Sequence, residues 1–188
     1  MAAALWSVKS FILSILLAGV AVSSSLRGAD EKKMTVVDYF LLLPDKTFEG
    51  SAKGWLTFLK QPKCGVIDIP NGYMSCTGDG AQPEFEIALF RYRNGRPLLA
   101  LCNGELEGAD SLMLTFFEMG FDGKMHEVPR SIFPVGDSLV VTKDDDIRYE
   151  NWEFQLPRHG KTVVVRKQKS GKVLHKFAWN GEKFIEQH

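Results

Sequence analysis

The sequence predicts an α+β fold in which short N-terminal helices pack on a mostly antiparallel β-meander sheet, curled into a partial barrel or a sandwich. Three features carry this reading. Two capped apolar segments, each closed by a proline, stand between residues 34 and 62. From Gly65 onward the chain changes to short runs rich in aromatic and β-branched residues. Asn-Gly, Asp-Gly and Ser-Gly pairs separate those runs, which is the pattern of antiparallel hairpins.

The first helix is expected in MTVVDYFLLLP, with Thr35 as N-cap and Pro44 as the stop, since proline cannot continue a helix. SAKGWLTFLKQP repeats the design with Ser51 as cap, Trp55, Leu56, Phe58 and Leu59 at helical spacing, and Pro62 beyond. Gly54 weakens this second helix. The aromatic stripe on these segments reads as packing against a sheet.

Pro70-Asn71-Gly72 should turn GVID into YMSC, and the glycine pair around Asp79 should turn YMSC into the next strand. FEIALFRY and RPLLALC flank Asn94-Gly95. A two-residue turn there places Leu89 opposite Ala100 and Ile87 opposite Cys102, so that Phe85, Ile87, Leu89, Ala100 and Cys102 share a face. Asp122-Gly123 joins SLMLTFFEMGF to KMHEV in the same way. DSLVVTK and YENWEFQL supply two more strands, the latter with Trp152, Phe154 and Leu156 on one side. In the last hairpin a three-residue turn with Gly171 left-handed sets Val163 opposite Phe177 and Val165 opposite His175, leaving Lys161 to meet Trp179 at the rim. Asn180-Gly181 then folds Phe184 back.

The 188 residues suit one domain. Balanced charge, 23 basic against 23 acidic residues with pI near 6.9, supplies no global field toward nucleic acid. Lys9, the apolar run Phe11 to Val22 and the small residues after it have the layout of a secretory signal peptide. The run falls short of the about 20 apolar residues of a membrane span. Residues 1–29 are therefore read as signal peptide and spacer, cleaved after Ser23 or near Ala29, and 30–188 as a single globular domain. The mature protein is expected to be secreted or periplasmic, without a membrane span; the alternative is a retained anchor. In such a compartment thiols can oxidise. Of Cys64, Cys76 and Cys102, the pair near the ends of one hairpin, Cys64 and Cys76, is the expected disulfide, with Cys102 a buried small hydrophobe.

No catalytic signature emerges, and no cofactor or metal site is expected. Asp79 and Glu84 are too few and too far apart for a calcium loop, and the triplet Asp144, Asp145, Asp146 lacks the glycine and glutamate such a loop needs. His126, His159, His175 and His188 fall in no zinc-binding spacing. Glu84 and Glu86, a possible carboxylate pair, read as one exposed strand face. The least neutral stretch runs from Arg158 to Lys176: Arg158, Lys161, Arg166, Lys167, Lys169, Lys172 and Lys176, with no acidic residue among them. It is the candidate binding face for a protein or an anionic envelope component, against the plainer reading of a solvated edge whose lysines block strand pairing.

The segments DYF...LP, NGY...GDGAQ and QLPRHGKT...FAWNGEKF together resemble exported bacterial proteins of unknown function. That resemblance implies an envelope location and transfers no activity. The expected function is a non-catalytic binding or inhibitor-like module; the alternative is a hydrolase whose site assembles from distant residues, His159 or His175 with Asp79.

Overall fold

The computed structural model describes residues 33–77, 84–103, 113–134, 152–167 and 170–188. The leader, the turn at Asp79, the strand expected in DSLVVTK and the Asp144 triplet lie outside the described residues.

Both short helices form where their caps place them. Helix α1 (Val36–Phe40) starts at Thr35, whose hydroxyl accepts the Asp38 amide while the Asp38 carboxylate accepts the Thr35 amide at 2.7 Å, a reciprocal capping box. Helix α2 (Ala52–Leu59) starts at Ser51, whose Oγ accepts the Gly54 amide at 3.1 Å. Between them Pro44 leads into a 3-10 turn over Asp45–Thr47.

The rest is β. Strands β1 (Gly65–Asp68), β2 (Tyr73–Cys76), β3 (Phe85–Arg91), β4 (Pro97–Asn103), β5 (Met113–Met119) and β6 (Met125–Val128) form one antiparallel sheet in chain order. Strands β7 (Trp152–Gln155), β8 (Thr162–Lys167), β9 (Val173–Trp179) and β10 (Phe184–Glu186) form a second. Neither sheet closes into a barrel. The expected α+β class is corrected to a mostly-β fold, because proline stops confine the two helices among the described residues to 5 and 8 residues while ten strands stand among the same residues.

Two cores lie on the two faces of the six-stranded sheet. On one face Ile87, Leu99, Leu101 and Phe117 pack under Phe40, Trp55 and Leu59 of the helices. On the other, Phe90, Leu98, Ala100 and Phe116 meet Phe154, Val163, Val165, Phe177 and Phe184 of the second sheet. Phe133, after a 3-10 turn over Arg130–Ile132, fills the space between the sheets, with ring centroids 4.8 Å from Phe177, 5.1 Å from Phe184 and 6.0 Å from Phe116. Strand β4 is consequently buried on both sides.

The last hairpin has the expected pairing, Val163 with Phe177 and Val165 with His175, then a bulge before Arg166; Gly171 has φ +67°. Trp179 donates its amide to the Lys161 carbonyl, and Phe184 returns opposite Trp179. The β3–β4 pairing differs by one residue from expectation: Leu89 faces Leu99 and Ile87 faces Leu101. The turn contains Arg93, Asn94 and Gly95, with Gly95 at φ +83°, so Ala100 and Cys102 point to the second sheet and not to the face of Ile87. Cys102 is buried there, its Sγ 3.4 Å from the Phe154 carbonyl.

Candidate functional site

A cleft lined by charged groups opens between the sheets where β2 ends and β3 begins against β7 and β8. It encloses about 210 Å³ and is lined by Ser75, Glu84, Glu86, Glu153, Gln155 and Arg166, among others. Glu86 alternates on β3 with Ala88 and Phe90, so its side chain points at the second sheet. There Oε1 accepts the Tyr73 hydroxyl at 2.7 Å and Oε2 accepts the Leu156 amide, just beyond β7, at 2.6 Å. Burial raises the Glu86 pKa against the opposing pull of these two donors, and burial followed by the Glu86 carboxylate raises that of Tyr73. Across the cleft Arg166 Nε lies 2.5 Å from Glu153 Oε1.

Chemically, this arrangement fastens more than it reacts. Both oxygens of Glu86 hold donors, Glu153 holds a guanidinium, and among the described residues no histidine lines the cleft. Sequence reasoning missed Glu86 as a distinct group by pairing it with Glu84. Glu84 is exposed, whereas Glu86 is partly buried and its partners stand 13 and 70 residues away in sequence.

The basic stretch is divided by the fold. Arg158 pairs with Asp68 at 2.8 Å, a second tie between the sheets that depresses the Asp68 pKa. Arg166 is committed to Glu153. Lys161 is exposed at the start of β8, Lys167 is half-buried in β8, and Lys169 lies outside the described residues. Lys172 and Lys176 are exposed around Val173, which is 46 % exposed, and a hollow of about 480 Å³ lies along Val173, Leu174, His175 and Lys176. Strand β10 covers only Phe177–Trp179 of β9, with Gln187 reaching the Lys176 carbonyl at 2.8 Å. Toward Val173 the outer edge of β9 has no strand beside it among the described residues.

The histidines do not converge. His126 sits 2.9 Å from Asp122 on the β5–β6 turn, His175 sits 2.6 Å from Glu186 at the β9–β10 edge, and His159 is exposed in the loop before β8. Among the described residues no three metal-ligating side chains cluster. Gly65 stands opposite Cys76, which turns Cys64 to the other side of the hairpin; Cys64 is unbridged, its Sγ 3.8 Å from the Pro62 carbonyl, in place of the expected disulfide.

No family model matches the chain, and no curated protein matches it. A solved domain of an uncharacterized protein from Porphyromonas gingivalis W83 is similar in fold, with TM-score 0.55 at 8% identity, covering 81% of this chain and 97% of that one. The two thus share a mostly-β architecture of antiparallel sheets. Among the described residues no helix is long and apolar enough to cross a membrane.

Proposed function

We propose that the protein is an exported, non-catalytic binding or inhibitor-like module, and that the β8–β9 hairpin takes an anionic protein or envelope component. The observation that carries this reading is the outer edge of β9, uncovered toward Val173 among the described residues, where backbone, the apolar Val173 and the cations Lys172 and Lys176 are presented together. An extended acidic segment could pair with such an edge through its main chain while its carboxylates meet the lysines. The titratable groups support the same reading, because Glu86 and Glu153 in the cleft and His126 and His175 outside it each meet protein partners.

Replacing Lys167, Lys169 and Lys172 by glutamate should weaken capture of the partner from an envelope extract, and added salt should reproduce the loss, since exposed charges are screened over about 8 to 10 Å at physiological ionic strength. Unchanged capture by the folded triple variant would refute the hairpin as the binding face. Loss of a measured turnover on replacing His159 or His175 alone would establish the hydrolase alternative instead.

A further inference from the structure

One end of the described domain gathers four turns. The β1–β2 turn over residues 69–72 lies there because Leu89, near the end of β3, donates its amide to the Gly72 carbonyl. The β3–β4 turn over residues 93–95 follows, then the β5–β6 turn over 121–123, since Leu98 at the start of β4 pairs with Glu118 at the end of β5. The β9–β10 turn joins them through the Arg93 amide on the Gly181 carbonyl and the Arg93–Glu182 ion pair at 3.2 Å.

Two of these turns expose apolar side chains. Ile69 is 49 % exposed and Phe121 is exposed over its whole surface. The backbone that presents Phe121 is tied down, with Gly120 donating to the Lys124 carbonyl and Asp122 accepting the Lys124 amide and contacting His126. Four strand spacings of about 4.8 Å separate the two turns, so the apolar tips stand about 19 Å apart.

The charges at this end are sorted. The acids Asp68, Glu118, Asp122 and Glu182 each face an arginine or histidine: Arg158, Arg96, His126 and Arg93. The exposed Lys33, Lys124, Lys161 and Lys183 are in no ion pair with a described residue, although Lys124 shares a hollow with the exposed Asp45 and Glu127. Lys33 and Lys161 share a hollow of about 500 Å³ with Ile69.

We infer that the turn-bearing end, with Ile69 and Phe121 set among Lys33, Lys124, Lys161 and Lys183, docks on an anionic lipid bilayer. Apolar tips this far apart do not fit one protein pocket, but a bilayer interface offers the same apolar depth beneath each, and dispersed lysines suit a laterally continuous sheet of headgroups. This end is distinct from the hairpin tip at Lys172, so the inference stands or falls separately from the proposed binding function.

The test uses the full-length protein carrying Phe121→Trp, with the unsubstituted protein as reference for the native tryptophans. Vesicles contain brominated phosphatidylcholine alone or mixed with phosphatidylglycerol. The fluorescence added by the substitution should be quenched only with phosphatidylglycerol present. Changing Lys33, Lys124, Lys161 and Lys183 to glutamine should weaken that binding by up to roughly a thousandfold, and raising the salt should weaken it in the same direction. Absence of quenching, equal quenching without phosphatidylglycerol, or indifference to the four glutamines would each overturn the proposal. Shielding from an aqueous quencher by envelope protein in place of lipid would overturn it in favour of a protein partner. The Lys167, Lys169, Lys172 triple variant should retain the lipid response, so that loss of capture by the hairpin and loss of lipid docking are told apart.

Discussion

Two carboxylates tie the four-stranded sheet to the six-stranded one, and their surroundings make them opposites. Glu86, partly buried, reaches across inside the polar cleft to the Leu156 amide, and desolvation raises its pKa. Asp68, whose side chain is 10 % exposed, reaches Arg158, and the guanidinium followed by Asn71 lowers its pKa. The same covalent group in the same architectural role thus prefers its proton in one place and its charge in the other. Whether desolvation or a cation dominates decides which.

The comparison can be broken most severely by Glu86→Ala. The substitution leaves the Leu156 amide and the Tyr73 hydroxyl without their acceptor, at a cost of about 1 to 3 kcal/mol in denaturant unfolding. Equal stability of the variant would show that water replaces the carboxylate at no loss. A smaller effect is expected from pH. Because the folded pKa of Glu86 lies above its ordinary 4.5, its contribution is complete below that value and declines as pH rises through the folded pKa. Glu86→Gln should flatten that decline in a series of melting curves from pH 4 upward. The smallest effect belongs to Asp68→Asn. The lowered pKa of Asp68 means its contribution is present above 3.8 and lost as pH falls through the folded value, so the variant should lose stability at neutral pH, by less than Glu86→Ala, and should match the wild type in strong acid. If Asp68→Asn were the more damaging of the two near neutrality, the ranking by number of orphaned donors would be wrong.

Local chemistry was legible in the sequence, and matters decided across the chain were not. Thr35 and Ser51 announce their helices because a cap acts within three residues. The β8–β9 register could be chosen because only one face of that sheet is buried, so a slip by one residue would expose Val163 and Val165. The same test had no power over β4: Pro97 to Cys102 is buried on both faces, either register looks apolar, and the two-residue turn assumed at Asn94-Gly95 went unchallenged. Glu86 was hidden for a related reason. Alternation groups it with Glu84, while the Leu156 amide that sets it apart comes from the second sheet. The seven cations are plain in the sequence, but nothing near them in sequence reveals that Asp68 and Glu153 engage two of them.

Every ladder in both sheets joins strands that follow one another along the chain. The order in which the molecule assembles follows from this. Hairpins closed by short turns, such as those at Gly95, Gly123 and Gly181, lose little chain entropy as they zip, so each sheet can grow from local pairings. Contacts between the sheets are of another kind. Cys102 meets the Phe154 carbonyl across 52 residues and Trp179 Nε1 meets the Arg91 carbonyl across 88, and neither can form before both meanders exist. Loop-closure entropy thus favours docking of the sheets after the hairpins, and the apolar face of β8 and β9, with Val163, Val165 and Phe177, is the surface that docking covers.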